Sequence, residues 1–206
     1  MKLYFSPGAC SLSPHIVLIE AGIAFEPVLA STKSHQLADG TDYYAINPLG
    51  YVPLLELDDG TVLREGPVIV QYIADQAPQK NLAPANGTLP RYRLQEWLNF
   101  IGTEIHKGFS PMFNPATPDE TKTQSRDKLA KRYAWIEQQL TGREFLMGDT
   151  FSVADAYLFT VTSWAKPTGL DLAPYPQVRA WHARIGERPA VKEALAAEAA
   201  AKAAAT

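Results

Sequence analysis

Cys10 stands in the run Cys10-Ser11-Leu12-Ser13, between a short apolar-aromatic segment, 2–6, that Pro7-Gly8 stops, and a helical pattern of Ile16, Val17, Ile19 and Glu20 that closes at Gly22. A thiol at such a strand-to-helix junction is expected to place its sulfur near the unpaired backbone N–H groups of the helix start. Those groups lower a thiol pKa from about 8.5 and favour the nucleophilic thiolate. In two-cysteine redox motifs a second cysteine occupies the position of Ser13 and resolves a mixed disulfide, which serine cannot do. Cys10 can therefore hold a disulfide with an external small thiol without expelling it internally. A buried small apolar side chain is the other reading of the same residue.

Three further groups of residues have chemistry in their types and spacing. Val52-Pro53 opens a strand pattern; were this bond cis, the Val52 N–H and C=O would face outward and pair with an extended peptide ligand, and otherwise Pro53 is an ordinary strand-edge proline. Glu65-Gly66-Pro67 lies where a hairpin hands over to a helix, so the Gly66 N–H is expected to face an anion and Glu65 an ammonium group, a site suited to an α-amino acid end. A helix-start glutamate favoured by the dipole is the simpler alternative. On a later helix, Leu94, Leu98, Ile101 and Ile105 form the core face at 100° per residue, while Asn99, Thr103 and His106, followed by Lys107, form a polar stripe. Such a stripe lines a ligand cleft or simply faces solvent; in a cleft, His106 could give a proton to, or take one from, a reacting thiol.

The elements that must carry these residues change character along the chain. An α/β pattern, β-α-β then β-β-α, fills the first part: a second strand over 25–29, an irregular stretch over 31–41, a hairpin of 52–57 and 61–64 about Asp58-Asp59-Gly60, and a helix over 67–77. Residues 81–90, rich in Pro, Asn, Gly and small side chains, read as a linker between residues 1–80 and an all-α part over 91–206. The expected helices are 91–107, 120–140, 154–164 and 178–187, with a Pro-punctuated loop over 110–118. Ser152-Val153-Ala154-Asp155 reads as a capping box, with Phe151 as a hydrophobic staple. The alanine-rich tail, 194–206, reads as helix by propensity alone, fraying at its end and without a function.

Composition bounds the remaining possibilities. The 206 residues carry 19 Lys+Arg and 22 Asp+Glu, a net charge of −3, without the basic stripe that nucleic acid or an anionic membrane requires. One cysteine excludes an intramolecular disulfide framework or a cysteine-rich zinc site within a chain, and His15, His35 and His182 lack metal spacing, so no metal is expected. The N-terminal apolar run is too short for a signal peptide and no apolar stretch is long enough to span a membrane, so the expected address is the cytoplasm.

Taken together, Tyr4-Phe5-Ser6-Pro7-Gly8-Ala9-Cys10-Ser11, Asn47-Pro48-Leu49-Gly50-Tyr51-Val52-Pro53, Glu65-Gly66 and Phe151-Ser152-Val153-Ala154-Asp155 resemble the cytosolic glutathione S-transferases over nearly the whole chain. Cys10, Asn99 and His106-Lys107-Gly108-Phe109 are similar to the bacterial beta class in particular. The resemblance implies a thioredoxin-like N-terminal domain (1–80) that binds glutathione, and a helical C-terminal domain (91–206) that lines the electrophile site. It also implies a homodimer and a detoxifying transferase that conjugates the glutathione thiolate to small apolar electrophiles. Residue by residue, Cys10 would contact glutathione or form a mixed disulfide with it, and Val52 would pair with its cysteinyl backbone beside a cis Pro53. Glu65 and Gly66 would hold its γ-glutamyl end. Asn99, Thr103, His106 and Lys107 would complete the set, with His106 near the sulfur. The beta pattern usually has a lysine where His35 stands, leaving the glycyl carboxylate to His35 or Lys33. A second-substrate pocket would involve Phe109, Phe113, Tyr157 and Trp164. The alternative activities are a glutathione-dependent thiol-disulfide reductase or dehalogenase, and a non-catalytic carrier of apolar ligands.

Overall fold

The computed structural model describes residues 1–204. The chain divides into two compact units, one of Met1–Ala83 together with the segment that begins at Arg188, the other of Pro84–Glu187.

The first unit is built on a mixed four-stranded sheet in the order β2-β1-β3-β4, with β1 Lys2–Phe5, β2 Glu26–Leu29, β3 Leu54–Glu56 and β4 Val62–Arg64. β1 and β2 are parallel, with Tyr4 opposite Val28, and α1 (Leu12–Ala21) connects them. A parallel pair needs such a crossover, whereas the antiparallel β3–β4 pair closes through the Asp-Gly turn read from the sequence. Helix α2 (Gly66–Gln76) follows β4 and buries Ile69, Val70, Ile73 and Ala74. This is the small α/β sheet expected from the strand and helix order, in the thioredoxin-like arrangement that the family resemblance implies. At the end of α1, Gly22 takes the left-handed conformation and its N–H donates to the Ile19 carbonyl, as the sequence pattern requires.

The alanine-rich tail holds more than helix propensity. As α9 (Pro189–Ala204) it belongs to the first unit and packs along α1, burying Ala190, Val191 and Ala194. On the same buried face lies Glu198, only 4% exposed. Its Oε2 accepts from the Gly8 N–H at 2.9 Å and its Oε1 lies 3.3 Å from Nδ1 of the buried His15 on α1. At the helix start, Arg188 makes a two-pronged pair with Glu20 of α1, at 2.6 and 3.0 Å. A carboxylate is tolerated on this face because both oxygens find polar partners there. The fraying assigned to the last residues concerns 205–206, which lie outside the described residues.

The role of Glu198 can be checked by substitution. Glu198→Ala is expected to lower the stability to unfolding by about 2 kcal/mol, since it takes the partner from the nitrogen of the buried His15 imidazole and one acceptor from the Gly8 N–H. Glu198→Gln should retain most of it, because an amide can accept from Gly8 and donate to His15. Urea denaturation of the three proteins checks this; equal losses in both variants would contradict the assigned hydrogen bonds.

The second unit is all-α. Its long first helix differs from the single 91–107 helix expected: α3 (Leu89–Phe100) passes into a π-helical turn over Ile101–His106 and then α4 (Lys107–Phe113). The helix thus runs through 110–113, where a loop was expected. Pro111 withdraws one backbone donor only near the helix end, and so does not stop it earlier. Leu94, Leu98, Ile101 and Ile105 are buried as expected. The wider turn is fixed from outside by Arg132 of α5 (Asp119–Leu140), whose Nε donates to Glu104 at 2.7 Å. Opposite Gly108, Leu129 of α5 comes so close that a Cβ on that glycine would lie 2.8 Å from its methyl group.

Helices α6 (Val153–Thr162), α7 (Ala165–Thr168) and α8 (Pro176–Gly186) complete the unit. The capping box read from the sequence is present at α6, where Asp155 accepts from both the N–H and the hydroxyl of Ser152 at 2.9 Å. Phe151 is buried and meets the Phe145 ring edge-on.

Candidate functional site

In the first unit, a chain of short contacts runs from Cys10 to Glu65. Cys10 is half-buried, just ahead of α1, and its Sγ–H donates to the Val52 carbonyl at 3.2 Å. That acceptor comes from another segment, the loop ahead of β3. The N–H groups of Leu12, Ser13 and His15 already donate to the carbonyls of Ala9, Cys10 and Ser11. The Ser11 hydroxyl ties the same loop together, accepting from the Ser6 N–H and donating to the Ser6 carbonyl. Ser13, in the place of a resolving cysteine, is buried and its hydroxyl has no hydrogen-bond partner among the described residues.

The Val52-Pro53 bond is cis. The loop before it is clamped: Asn47 is 1% exposed, its side-chain amide donates to the Tyr51 carbonyl at 2.8 Å, and its Oδ1 accepts from Arg64 Nε at 2.9 Å. The Tyr43 hydroxyl donates to the same Tyr51 carbonyl at 2.8 Å. These three residues orient the peptide that leads into Val52, and sequence reading did not assign them that part. The signal was available in Asn47 and Pro48 ahead of a glycine, a turn in which the asparagine side chain bonds to its own backbone.

A side chain starting at Gly66 would begin 3.8 Å from the Pro53 ring, so the second motif lies directly beside the first. Glu65, at the start of α2, has φ 68° and ψ 111°, a strained conformation for a residue with a side chain. That conformation sends the Val68 and Ile69 N–H groups to the Glu65 carbonyl. Pro67 has no N–H, so Gly66 is the one donor of the first turn that does not return to Glu65. Glu65 itself is exposed, free to meet a cationic group. Sequence reading singled out these two residues by type and position, and the backbone adds the unusual conformation of Glu65.

His35 and Lys33 occupy the loop after β2. Lys33 is exposed, whereas the His35 ring lies tilted against Tyr44 at 4.5 Å and its Nδ1 is buried without a hydrogen-bond partner among the described residues. Gly50 makes this packing feasible. It has φ +66°, and a Cβ there would lie 2.6 Å from the Tyr44 ring and 2.9 Å from His35 Nδ1. Any ligand contact of His35 therefore falls to Nε2.

In the second unit the polar stripe sits on either side of the α3-to-π transition. Asn99, Thr103 and Lys107 are exposed, and the Thr103 hydroxyl donates to the Asn99 carbonyl at 3.0 Å. His106, at the end of the π turn, is partly buried, with Nδ1 2.7 Å from the Tyr157 hydroxyl. Burial, assisted by the neighbouring Lys107 charge, pulls its pKa down to about 4. It is therefore neutral at pH 7, a hydrogen-bond donor and a poor base; of the two roles open to it from sequence, the structure favours donation. Trp164 gathers the aromatic residues expected near it: the His106, Phe109 and Phe113 rings lie edge-on at 5.0, 5.9 and 5.3 Å. Phe109 is fully buried and serves as core, while Phe113 is half exposed. Among the described residues, no group of three or more His, Cys, Asp or Glu is placed to hold a metal.

Comparison with known proteins places these two units in one family. Residues 8–76 match the family model of the glutathione S-transferase N-terminal domain and residues 100–189 that of the C-terminal domain. The chain is 46% identical over 198 residues to glutathione S-transferase GstA of Escherichia coli O157:H7, covering 96% of this chain and 98% of that one. Its fold is similar to a ternary complex of BphK, a bacterial GST, with TM-score 0.95, 55% identity and coverage of 97% and 100%. It is also similar to the bacterial beta class glutathione S-transferase of Sphingomonas chungbukensis, with TM-score 0.93, 45% identity and coverage of 96% and 98%. With both halves matched by the family models and nearly the whole chain matched by these relatives, this chain belongs to the glutathione S-transferase family and, within it, to the bacterial beta class.

Proposed function

We propose that the protein is a glutathione transferase that holds the glutathione thiolate ready for attack on small apolar electrophiles. The observation that carries this reading is the contact chain of Cys10, Val52, Pro53, Gly66 and the strained Glu65. It offers a sulfur-bearing loop, the peptide edge of Val52 and an amino-acid end site in sequence. In this reading Val52 pairs with the cysteinyl backbone of glutathione. Glu65 takes the γ-glutamyl ammonium, the Gly66 N–H its carboxylate, and His35 Nε2 the glycyl carboxylate. Asn99, Thr103 and Lys107 complete the glutathione set. His106 donates to the thiolate, lowering its energy before it displaces the leaving group of the electrophile. Residues 1–80 then bind glutathione, 81–90 link, and the helical residues that follow supply the electrophile side.

Cys10 has a second part in this scheme. Its partial exposure lets it attack glutathione disulfide, forming a mixed disulfide and releasing one glutathione thiolate, with a proton lost from Cys10. Ser13 cannot reverse that step. We assign the exposed Leu49 and Tyr51, 55% and 65% accessible, to a homodimer contact. The free thiol fits the reducing cytoplasm, and no described helix is long and apolar enough to cross a membrane.

Titration calorimetry with glutathione tests the site. Glu65→Ala is expected to weaken glutathione binding about tenfold through loss of one charge-assisted hydrogen bond, with stability essentially unchanged, because alanine keeps the Cβ that strains this φ. Unaltered affinity in the variant would remove Glu65 from the site.

A further inference from the structure

Among the described residues the Tyr157 hydroxyl is the hydrogen-bond partner at the inner nitrogen of His106, and its distance bears on which ring nitrogen carries the proton. Tyr157 lies on α6 and is 3% exposed, and its ring meets the His106 ring edge-on at 5.8 Å. The 2.7 Å separation between its hydroxyl and His106 Nδ1 is the length of a bond given by an O–H; bonds given by an N–H to oxygen centre on about 2.9–3.0 Å. A neutral imidazole nitrogen is also a stronger acceptor than a phenol oxygen. If Nδ1 accepts, the single imidazole proton resides on Nε2.

From this geometry we infer that Tyr157 is a positioning residue, whose hydroxyl donates to His106 Nδ1 and fixes the tautomer with the proton on Nε2. His106 then presents a donor to the glutathione sulfur, and the inference rests on the function proposed above only for the identity of that acceptor. The other tautomer would turn a lone pair toward the thiolate and repel it. The surroundings hold the ring in this orientation. Trp164 lies edge-on at 5.0 Å, and the π turn that carries His106 is tied to α5 by the Glu104–Arg132 pair. The neighbouring Lys107 charge disfavours a second proton on the ring.

Nitrogen-15 NMR of the ligand-free protein labelled at histidine tests the tautomer directly, with His106 among the four histidines identified by its loss in His106→Ala. Protonation of Nε2 in the wild type, and a mixture of tautomers in Tyr157→Phe, are expected; a proton on Nδ1 in the wild type would overturn the inference. Kinetics test the consequence. Tyr157→Phe should lower kcat/KM for glutathione about three- to tenfold with the melting temperature lowered by no more than a few degrees, and should change kcat/KM no further in a His106→Ala background. The same fold-loss in that background would show that Tyr157 acts by packing and not through His106. A wild type without glutathione turnover would refute the proposed function, while the NMR result would still decide the tautomer.

Discussion

Asp155→Ala is expected to lower the stability by about 5 kcal/mol and the Tm by roughly 10–20 °C for a chain of this size. The carboxylate is fully buried and accepts four hydrogen bonds. Oδ2 takes the Ser152 N–H and hydroxyl, and Oδ1 takes the Leu146 N–H at 2.9 Å and the Trp181 indole N–H at 3.0 Å. Burial pushes its pKa up, and these donors pull it back down. Removing it strands four buried donors, each costing about 1–3 kcal/mol. A simple helix cap would cost about 1 kcal/mol, so the difference measures the links to Leu146 and Trp181. Calorimetric or circular-dichroism melting checks this; a fall of less than about 3 °C would mean that the indole and the Leu146 N–H find other acceptors. Asp155→Asn should recover only part of the loss, because its NH2 faces two donors where an oxygen stood.

His106→Ala should reduce kcat/KM for glutathione conjugation about a hundredfold, the effect of removing one donor from a developing or resident anion. Stability at pH 7 should change far less. The two quantities separate because the imidazole is neutral in the folded protein at that pH. Between the unfolded value of 6.5 and the folded value of about 4, the unfolded chain binds a proton that the folded chain refuses. Wild-type stability should therefore fall as pH drops through that window, and His106→Ala should fall less steeply. His182, also buried with a lowered pKa, adds to the same slope in both proteins. Equal losses of activity and stability at pH 7 would make His106 a structural histidine.

These two residues show how far sequence reading reaches. Ser152 and Asp155 lie three apart, and a local rule finds them; Leu146 and Trp181 reach the same carboxylate from outside the helix, and no local pattern carries that. His106 was found with Asn99 and Thr103 by a helical period, but the period assumed 100° per residue through a segment that winds as a π turn. What fixes that turn, the pair between Glu104 and Arg132, joins residues 28 positions apart. The α/β order of the first unit was legible because strand alternation, Asp58-Asp59-Gly60 and Gly22 are local signals. Glu198 was not, since an isolated glutamate among alanines looks like a solvated charge until α9 is seen against α1. Part of the Cys10 environment was illegible for a similar reason: its hydrogen-bond acceptor, Val52, comes from another segment.

The most direct test of glutathione transfer is the initial rate of conjugation of glutathione to chlorodinitrobenzene, measured for the purified wild type beside Cys10→Ala. A rate that saturates with glutathione in both proteins is expected, because glutathione supplies its own nucleophile and Cys10 assists. Loss of the rate in Cys10→Ala alone would make Cys10 the reacting thiol and the chemistry thiol exchange. No rate above background in either protein would contradict the transferase assignment.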